Sequence, residues 1–513
     1  MVDLYALAAE MAGDPRPRGL IVTLRSLEGG MATVTALREV LSRVRKAGRR
    51  VVVHVPSSLD TKGYLVASGA DALYAFPGAS VSLLGFASRG VFVRGALAKA
   101  GVVADVLARG KYKSAGDALT RDEMSEPQRE QAGAILDLFY ATLTTAMREG
   151  RGLGAEQAAA AVDRAIYRAP EAVAAKLIDA ALFDDQILTT LAEAPGGPAS
   201  PSAPPCVAAD RYVRARRATS RFRRSGPCVG VIRVHGAISQ GGGAFASRGA
   251  SGSAIVAATR AARESKRVRG VLLHVDSPGG SALASAQMHR ELELLAAEKP
   301  LVVCMSNVAA SGGYYVAAPA HAIVAQPVTI TGSIGVISAR FALGPILERL
   351  GVRTDVLKRG LRADLADPTR ALTEEERAAL AQEIEGTYQE FIDVVARGRK
   401  KSRDEVEALA QGRVWTGRDA HARGLVDQLG GFEVALEEVR RRVGKGGAGL
   451  EPREIFGRAR GQEPSLADAR PAEAPAAIAS LASELLGEWA DVVPLALSLE
   501  RVLAWEPAVM GFR

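Results

Sequence analysis

Leu301–Gly335 reads LVVCMSNVAASGGYYVAAPAHAIVAQPVTITGSIG, and Val51–Gly85 reads VVVHVPSSLDTKGYLVASGADALYAFPGASVSLLG. The two align without a gap at an offset of 250, and Val52, Val53, Gly63, Tyr64, Val66, Ala67, Ala70, Ala72, Ala75, Pro77 and Gly85 each recur as the same residue type. Likeness continues outward. RGLIVTLRSLEGG from Arg18 resembles RGVLLHVDSPGGS from Arg269, DVLARG from Asp105 matches DVLKRG from Asp355, and AIYRAPEAVAAKLID from Ala165 resembles RVWTGRDAHARGLVD from Arg413. Self-similarity on this scale marks a duplicated domain.

Each copy alternates short Val/Ile/Leu runs with longer Ala/Leu/Glu/Arg segments of helical period, the pattern of parallel strands joined by crossover helices. The fold class is therefore α/β, a tandem duplication of a βα repeat. The copies are expected at residues 1–187 and 227–445. Between them the Pro/Ala-rich APGGPASPSAPP and the Arg-rich RYVRARRATSRFRR make a linker over 188–226, and a flexible tail over 446–513 ends in an amphipathic helix. The second copy opens with CVGVIRVHGAIS from Cys228, a strand running into a turn, whereas Met1 falls opposite the helix that starts near Ser251. The first copy thus reads as lacking its opening strand, and the sequence as starting late.

With 513 residues, 48% hydrophobic and 24% charged, the chain is a globular protein of more than one core. Its net charge of +8 is concentrated in the Arg-rich stretch, which reads as a solvated connector and not as a nucleic-acid site. Three cysteines, Cys206, Cys228 and Cys304, give no disulfide framework. The N-terminus lacks the basic start and apolar run of a signal peptide, and the uncharged segment between Lys299 and Arg340 is too rich in Ser, Asn, Gly, Pro and Thr for a membrane span.

In MSNVAASGG, Met305–Gly313, Ser311 stands where a buried strand gives way to a helix, with two glycines behind it. Such a serine can present its hydroxyl while the next backbone N–H points at the same spot, which is a nucleophile's position. It needs a base. None of the six histidines stands in a triad motif, and lysine serves when burial or a donor network favours the neutral amine. Lys113, in KYKSA, is the candidate. The repeat position of Lys113 in the second copy is Ala363, and that of Ser311 in the first copy is Thr61, so each copy keeps one group and has lost the other. One composite site would join Lys113 to Ser311.

DSPGG (Asp276–Gly280), AASGGYY (Ala309–Tyr315), TGSIGV (Thr331–Val336) and KYKSA (Lys111–Ala115) together resemble the signal peptide peptidase A family in its long, duplicated form. That family consists of serine peptidases with a Ser-Lys dyad, of the Clp/crotonase-like fold. The resemblance covers Asp3 to about Gly431 and implies that Ser311 is the nucleophile, Lys113 the general base and Ser333 the residue that orients the lysine. It implies oxyanion donors at Gly279 or Gly280 together with Gly312, without deciding which of the paired glycines points inward. It further implies no metal or organic cofactor, apolar signal-peptide fragments as substrate, a homotetramer, and association with the periplasmic face of the bacterial inner membrane. The family's usual N-terminal anchor is not visible in this sequence. Two other readings stand beside it: an acyl-CoA enzyme of the crotonase fold, which would need neither Ser311 nor Lys113, and a truncated, non-catalytic assembly scaffold.

Overall fold

In the computed structural model the described residues are 2–192, 206–218, 226–240, 249–456 and 503–505. They form two compact units, one of residues 1–87 and 135–226, the other of residues 88–134 and 227–513. Residues 88–134 of the first repeat are thus compact with the second repeat. The reason lies in strand Val103–Arg109, which pairs antiparallel with Val336–Ala342 over seven rungs and carries the following loop with it.

The first unit contains a parallel sheet ordered Gly19–Thr23, Arg50–Val55, Ala72–Ala75, Ala180–Ala181. Val51, Val52 and Val53 are fully buried, which explains an apolar run where a one-sided strand would alternate. Among the described residues that sheet holds these four strands, with Gly19–Thr23 at its edge. The Arg-rich stretch is only partly a connector, since Ala209–Ala218 is a helix packed on the opening helix Val2–Gly13. There the Tyr212 hydroxyl donates to Asp14 (3.0 Å) and Arg216 pairs with Glu10 (3.0 Å), so an acid of that helix and one just past its end hold part of the Arg-rich stretch. The Pro/Ala-rich stretch lies outside the described residues.

The second unit has the fuller sheet. Strand Leu301–Ala310 lies between Val268–Ser277 and Ile330–Gly332, and Val268–Ser277 pairs in turn with Cys228–His235. Leu273, Val303, Tyr314, Val395 and other side chains at or near zero exposure fill its core. Each such side chain is worth roughly 1.5–3 kcal/mol relative to exposure. Glu451–Glu454 adds a further strand beside Cys228–His235, so residue 446 does not begin a free tail. Leu503–Trp505, expected in a helix, is a strand beside Gly279–Ser281, and the rest of that predicted helix lies outside the described residues. Among the described residues no helix is long and apolar enough to cross a membrane.

The duplication is visible bond by bond. Tyr64 donates to the Leu177 carbonyl at 3.0 Å, and Tyr314 donates to the Leu425 carbonyl at 2.8 Å. Asp179 accepts the Leu73 N–H and pairs with Arg151, and Asp427 accepts the Ile323 N–H and pairs with Arg399, all four at 2.6–2.7 Å.

Candidate active site

Strand Val268–Ser277 loses register with strand Leu301–Ala310 between Val275 and Ser277. At that break the Asp276 carboxylate accepts from Asn307 Nδ2 (2.8 Å) and the Val308 N–H (3.1 Å), satisfying backbone the ladder leaves unpaired. The Ser311 strand continues to Ala310, and Ser311 turns the chain into helix Gly312–Ala317 with φ 54°. A positive φ at a residue with a side chain is costly and is held by its surroundings. Here the Ser311 N–H donates to the Gly332 carbonyl at 2.8 Å, and the Ser311 carbonyl accepts from the Tyr314 and Tyr315 N–H groups at 2.9 Å.

Lys113 arrives from the opposite side. Its strand, Val103–Arg109, ends in a tight turn in which the Tyr112 N–H donates to the Gln411 carbonyl (2.7 Å) and the Lys113 N–H to the Gly110 carbonyl (3.1 Å). The amine lies 2.9 Å from Ser311 Oγ, 2.9 Å from Ser333 Oγ and 3.2 Å from the Ser333 carbonyl. All three residues are buried, with Ser311 and Ser333 at 0% exposure and Lys113 at 4%. Residues read from the sequence as one composite site, 198 and 220 positions apart, are thus brought together. No histidine hydrogen-bonds to Ser311 among the described residues.

The glycines line up beside them. Gly312 opens its helix, where an N–H has no intrahelical acceptor. A Cβ on Gly313 would stand 2.6 Å from the Ser277 carbonyl, so the helix start packs directly against the turn that carries Gly279 and Gly280. At Gly280, with φ 152°, a Cβ would fall 2.1 Å from the Ile238 carbonyl, which only glycine permits. The Gly279 N–H is engaged by Ser277 Oγ at 3.2 Å. Strand Leu503–Trp505 runs antiparallel to this turn, pairing Gly279 with Trp505 and Gly280 with Ala504, and also meets Ile337.

One cluster was missed in the sequence. Arg413 donates to the Tyr112 hydroxyl (3.0 Å) and Glu130 (2.6 Å), with its guanidinium over the rings of Tyr112 and Trp415. Its carbonyl accepts the Ser333 N–H at 2.7 Å. Gln131 fastens the same segments, accepting the Val414 N–H at 2.7 Å and donating to the Tyr112 carbonyl at 3.3 Å. Arg413 therefore touches the lysine loop with its side chain and the Ser333 turn with its backbone. The available signal was the repeat itself, in which Arg413 stands opposite Ala165.

The chain is similar to known proteins over both copies. The peptidase family S49 profile matches residues 43–196 and again 293–445. "Serine protease SPPA, chloroplastic" of Arabidopsis thaliana is 36% identical over 431 residues, covering 83% of this chain and 63% of its own length. "Protease 4" of Salmonella typhi is 31% identical over 446 residues, covering 85% of this chain and 71% of its own. "Putative signal peptide peptidase SppA" of Enterococcus faecium is 39% identical over 180 residues, covering 35% of this chain and 52% of its own. Two family matches, one on each copy and together spanning more than half of the residues, leave one conclusion: the chain belongs to peptidase family S49.

Proposed function

We propose that this family S49 chain is a serine endopeptidase whose dyad is Ser311 and Lys113. The observation that carries the reading is the 2.9 Å separation of the Lys113 amine from the Ser311 hydroxyl inside a buried pocket. Enclosure disfavours an ammonium relative to a neutral amine. With its N–H groups directed to Ser333 Oγ and the Ser333 carbonyl, the neutral amine keeps its lone pair for the Ser311 proton. Ser311 Oγ then attacks the peptide carbonyl as Lys113 takes its proton. The Gly312 N–H, with one from the Gly279–Gly280 turn, stabilises the oxyanion. The protonated lysine returns its proton to the leaving amine, and water, deprotonated in turn by Lys113, hydrolyses the acyl-enzyme. Of the paired glycines, Gly279 has its N–H 3.2 Å from Ser277 Oγ, and Gly280 is ladder-paired with Ile238 and Ala504. Acyl-CoA chemistry would leave the lysine–serine contact without a purpose.

The substrate is proposed to be an extended apolar peptide, signal-peptide remnants above all, taken at the periplasmic face of the bacterial inner membrane by a homotetramer. Strand Leu503–Trp505 supports strand-like binding, since it occupies a lane between Gly279–Ser281 and Val336–Ala342 where an extended peptide can pair through its backbone. Backbone pairing demands no particular side chains, which suits substrates alike only in being apolar. The test is hydrolysis of a synthetic apolar signal-peptide core and a charged peptide of equal length by the wild-type chain and by Ser311→Ala. Wild type should cleave the apolar peptide at least about tenfold faster, as one or two favourably buried side chains predict, and Ser311→Ala should cleave neither. Equal rates on both peptides would overturn the substrate class, and full turnover by Ser311→Ala would overturn the dyad.

A further inference from the structure

Between the lysine loop and the Ser333 turn lies a third piece of backbone, the turn Gln411–Gly412 that follows helix Arg403–Leu409. The Gln411 carbonyl accepts the Tyr112 N–H at 2.7 Å, and the Gly412 N–H donates to the Ile334 carbonyl at 2.8 Å. The two segments that flank the base are therefore hydrogen-bonded to the same two residues. Their approach is closer than side chains allow. A Cβ on Gly412 would fall 2.6 Å from both the N and the Cβ of Lys113, and 2.8 Å from its Cα. The opposing glycines are as tight: a Cβ on Gly110 would stand 2.4 Å from the Gln411 carbonyl carbon, and one on Gly335 2.8 Å from the Gly412 Cα. Backbone thus stacks on backbone from the lysine loop through Gly412 to the turn that carries Ser333.

The turn itself is held in a costly conformation. Gln411 has φ 53° and Gly412 φ 71°, and a positive φ at a residue with a side chain persists only where its surroundings fix it. Here the Gln411 N–H and side-chain amide donate to the Tyr388 hydroxyl at 3.3 and 3.5 Å, and the amide also donates to Glu407. Tyr388 is fully buried, with the guanidinium of Arg109, the last residue of the strand that delivers Lys113, 4.9 Å from its ring centre. The repeat shows which glycine belongs to the site. Gly110 and Gly335 recur in the other copy as Gly360 and Gly85, but Gly412 stands opposite Arg164, in the alignment that sets Arg413 against Ala165. The copy that carries Ser311 and Ser333 has glycine at this position, and the copy that lacks them has arginine.

We propose that Gly412 is a positioning residue for the Lys113 base: its bare backbone is the spacer that sets how far the lysine Cα stands from the Ser333 turn, and hence where the amine meets Ser311. A lysine side chain is a flexible four-carbon stem, so its amine meets Ser311 Oγ, Ser333 Oγ and the Ser333 carbonyl together only while its Cα is fixed. A side chain at 412 forces the lysine loop and the Ser333 turn apart by roughly an ångström, the difference between the 2.6 Å approach and ordinary carbon contact. The displaced amine loses its line to Ser311 and gains water, which favours its charged form. Arg413 ties the two segments together, whereas Gly412 sets how closely they meet. This inference deepens the dyad reading and rests on it.

The test is the pH dependence of kcat and kcat/KM on the apolar signal-peptide core for Gly412→Ala, with wild type and Lys113→Ala in parallel. Gly412→Ala should lower kcat about 10²-fold with KM within about twofold. It should also move the acid limb of kcat/KM about one unit to higher pH, because a wetter amine gives up its proton less readily. A glycine needed only for folding would lower activity in proportion to the folded fraction and leave that limb in place. In a chain folded by circular dichroism, a kcat within about threefold of wild type, or a loss with an unmoved limb, would overturn the spacer. Tyr388→Phe covers the case in which the alanine variant does not fold, since it removes the hydroxyl that holds Gln411 and almost no volume. It should lower kcat about fivefold, the worth of one hydrogen bond, and move the limb the same way, and wild-type behaviour in it would then overturn the proposal. Lys113→Ala separates the two readings: its inactivity beside a wild-type-like Gly412→Ala sinks the spacer alone, and its full turnover sinks the dyad and the spacer with it.

Discussion

The two copies meet the same strand-to-helix turn and do opposite things with it. In the second copy Ser311 holds φ 54° and its helix starts with no side chain capping it. In the first copy Thr61 occupies that position without a positive φ, and Asp60, where the second copy has Ala310, accepts the Gly63 N–H at 2.7 Å. A helix N-terminus attracts negative charge. One copy fills it with its own carboxylate, and the other leaves it open beside a serine. The rest of the machinery divides the same way: Ser333 stands opposite Leu83, Lys113 opposite Ala363, and Gly279 opposite Glu28. At this turn the second copy keeps a positive φ and an uncapped helix start, while the first copy has ordinary capping.

That contrast can be broken most forcefully at the dyad. Lys113→Ala should lower turnover of an apolar peptide by about 10³–10⁴-fold, the scale of losing one member of a catalytic set. Thr61→Ser combined with Ala363→Lys should leave turnover within about twofold, as expected for changes away from the machinery. A gain from the double variant would show that the silent turn is still competent.

Next in size is the clamp that exists only around the working site. Arg413→Ala should cost about 10²-fold, chiefly in kcat, because a lysine displaced by an ångström loses its line to Ser311. Arg413→Lys should restore little, since an ammonium cannot bridge Tyr112 and Glu130 as a planar fork does. A loss confined to thermal stability would reduce Arg413 to a structural residue.

Asp60→Ala sharpens the comparison from the other side. Removing an N-cap should lower the unfolding free energy by about 1 kcal/mol with peptide turnover unchanged. A pH effect lies near the Ser311 strand. His235 Nε2 and His274 Nδ1 lie 2.7 Å apart, and burial pushes the His274 imidazole down to about 3, with His235 beside it adding to the shift. A folded-state value below the unfolded one, about 6.5, means that protonation favours the unfolded chain. Stability from this pair is complete above pH 6.5 or so and declines as pH falls toward 3. The melting temperature of His274→Leu should therefore depend less on pH across that window.

Much of this was legible in the residues because duplication supplies an internal control. The offset of 250 exposed the βα repeat, and Ser311 against Thr61 with Lys113 against Ala363 pointed to one group kept in each copy. The grouping of residues 88–134 with the second repeat was not legible, because it follows a long-range strand pairing and not the order of the repeat. Glu451–Glu454 escaped for a related reason: EPRE has no apolar alternation and becomes a strand only because Cys228–His235 presents an edge. Arg413 was hidden among many arginines, and only tertiary contact gives it its place.

The central claim is that an amine from the first copy activates a hydroxyl from the second. A fluorophosphonate probe followed by peptide mass mapping tests it directly, since such a reagent reacts with an activated serine and spares ordinary ones. The account predicts one adduct, on Ser311, in the wild-type chain, and its loss in Lys113→Ala with the fold intact by circular dichroism. Labelling of a different serine, or undiminished labelling of Ser311 without Lys113, would contradict it.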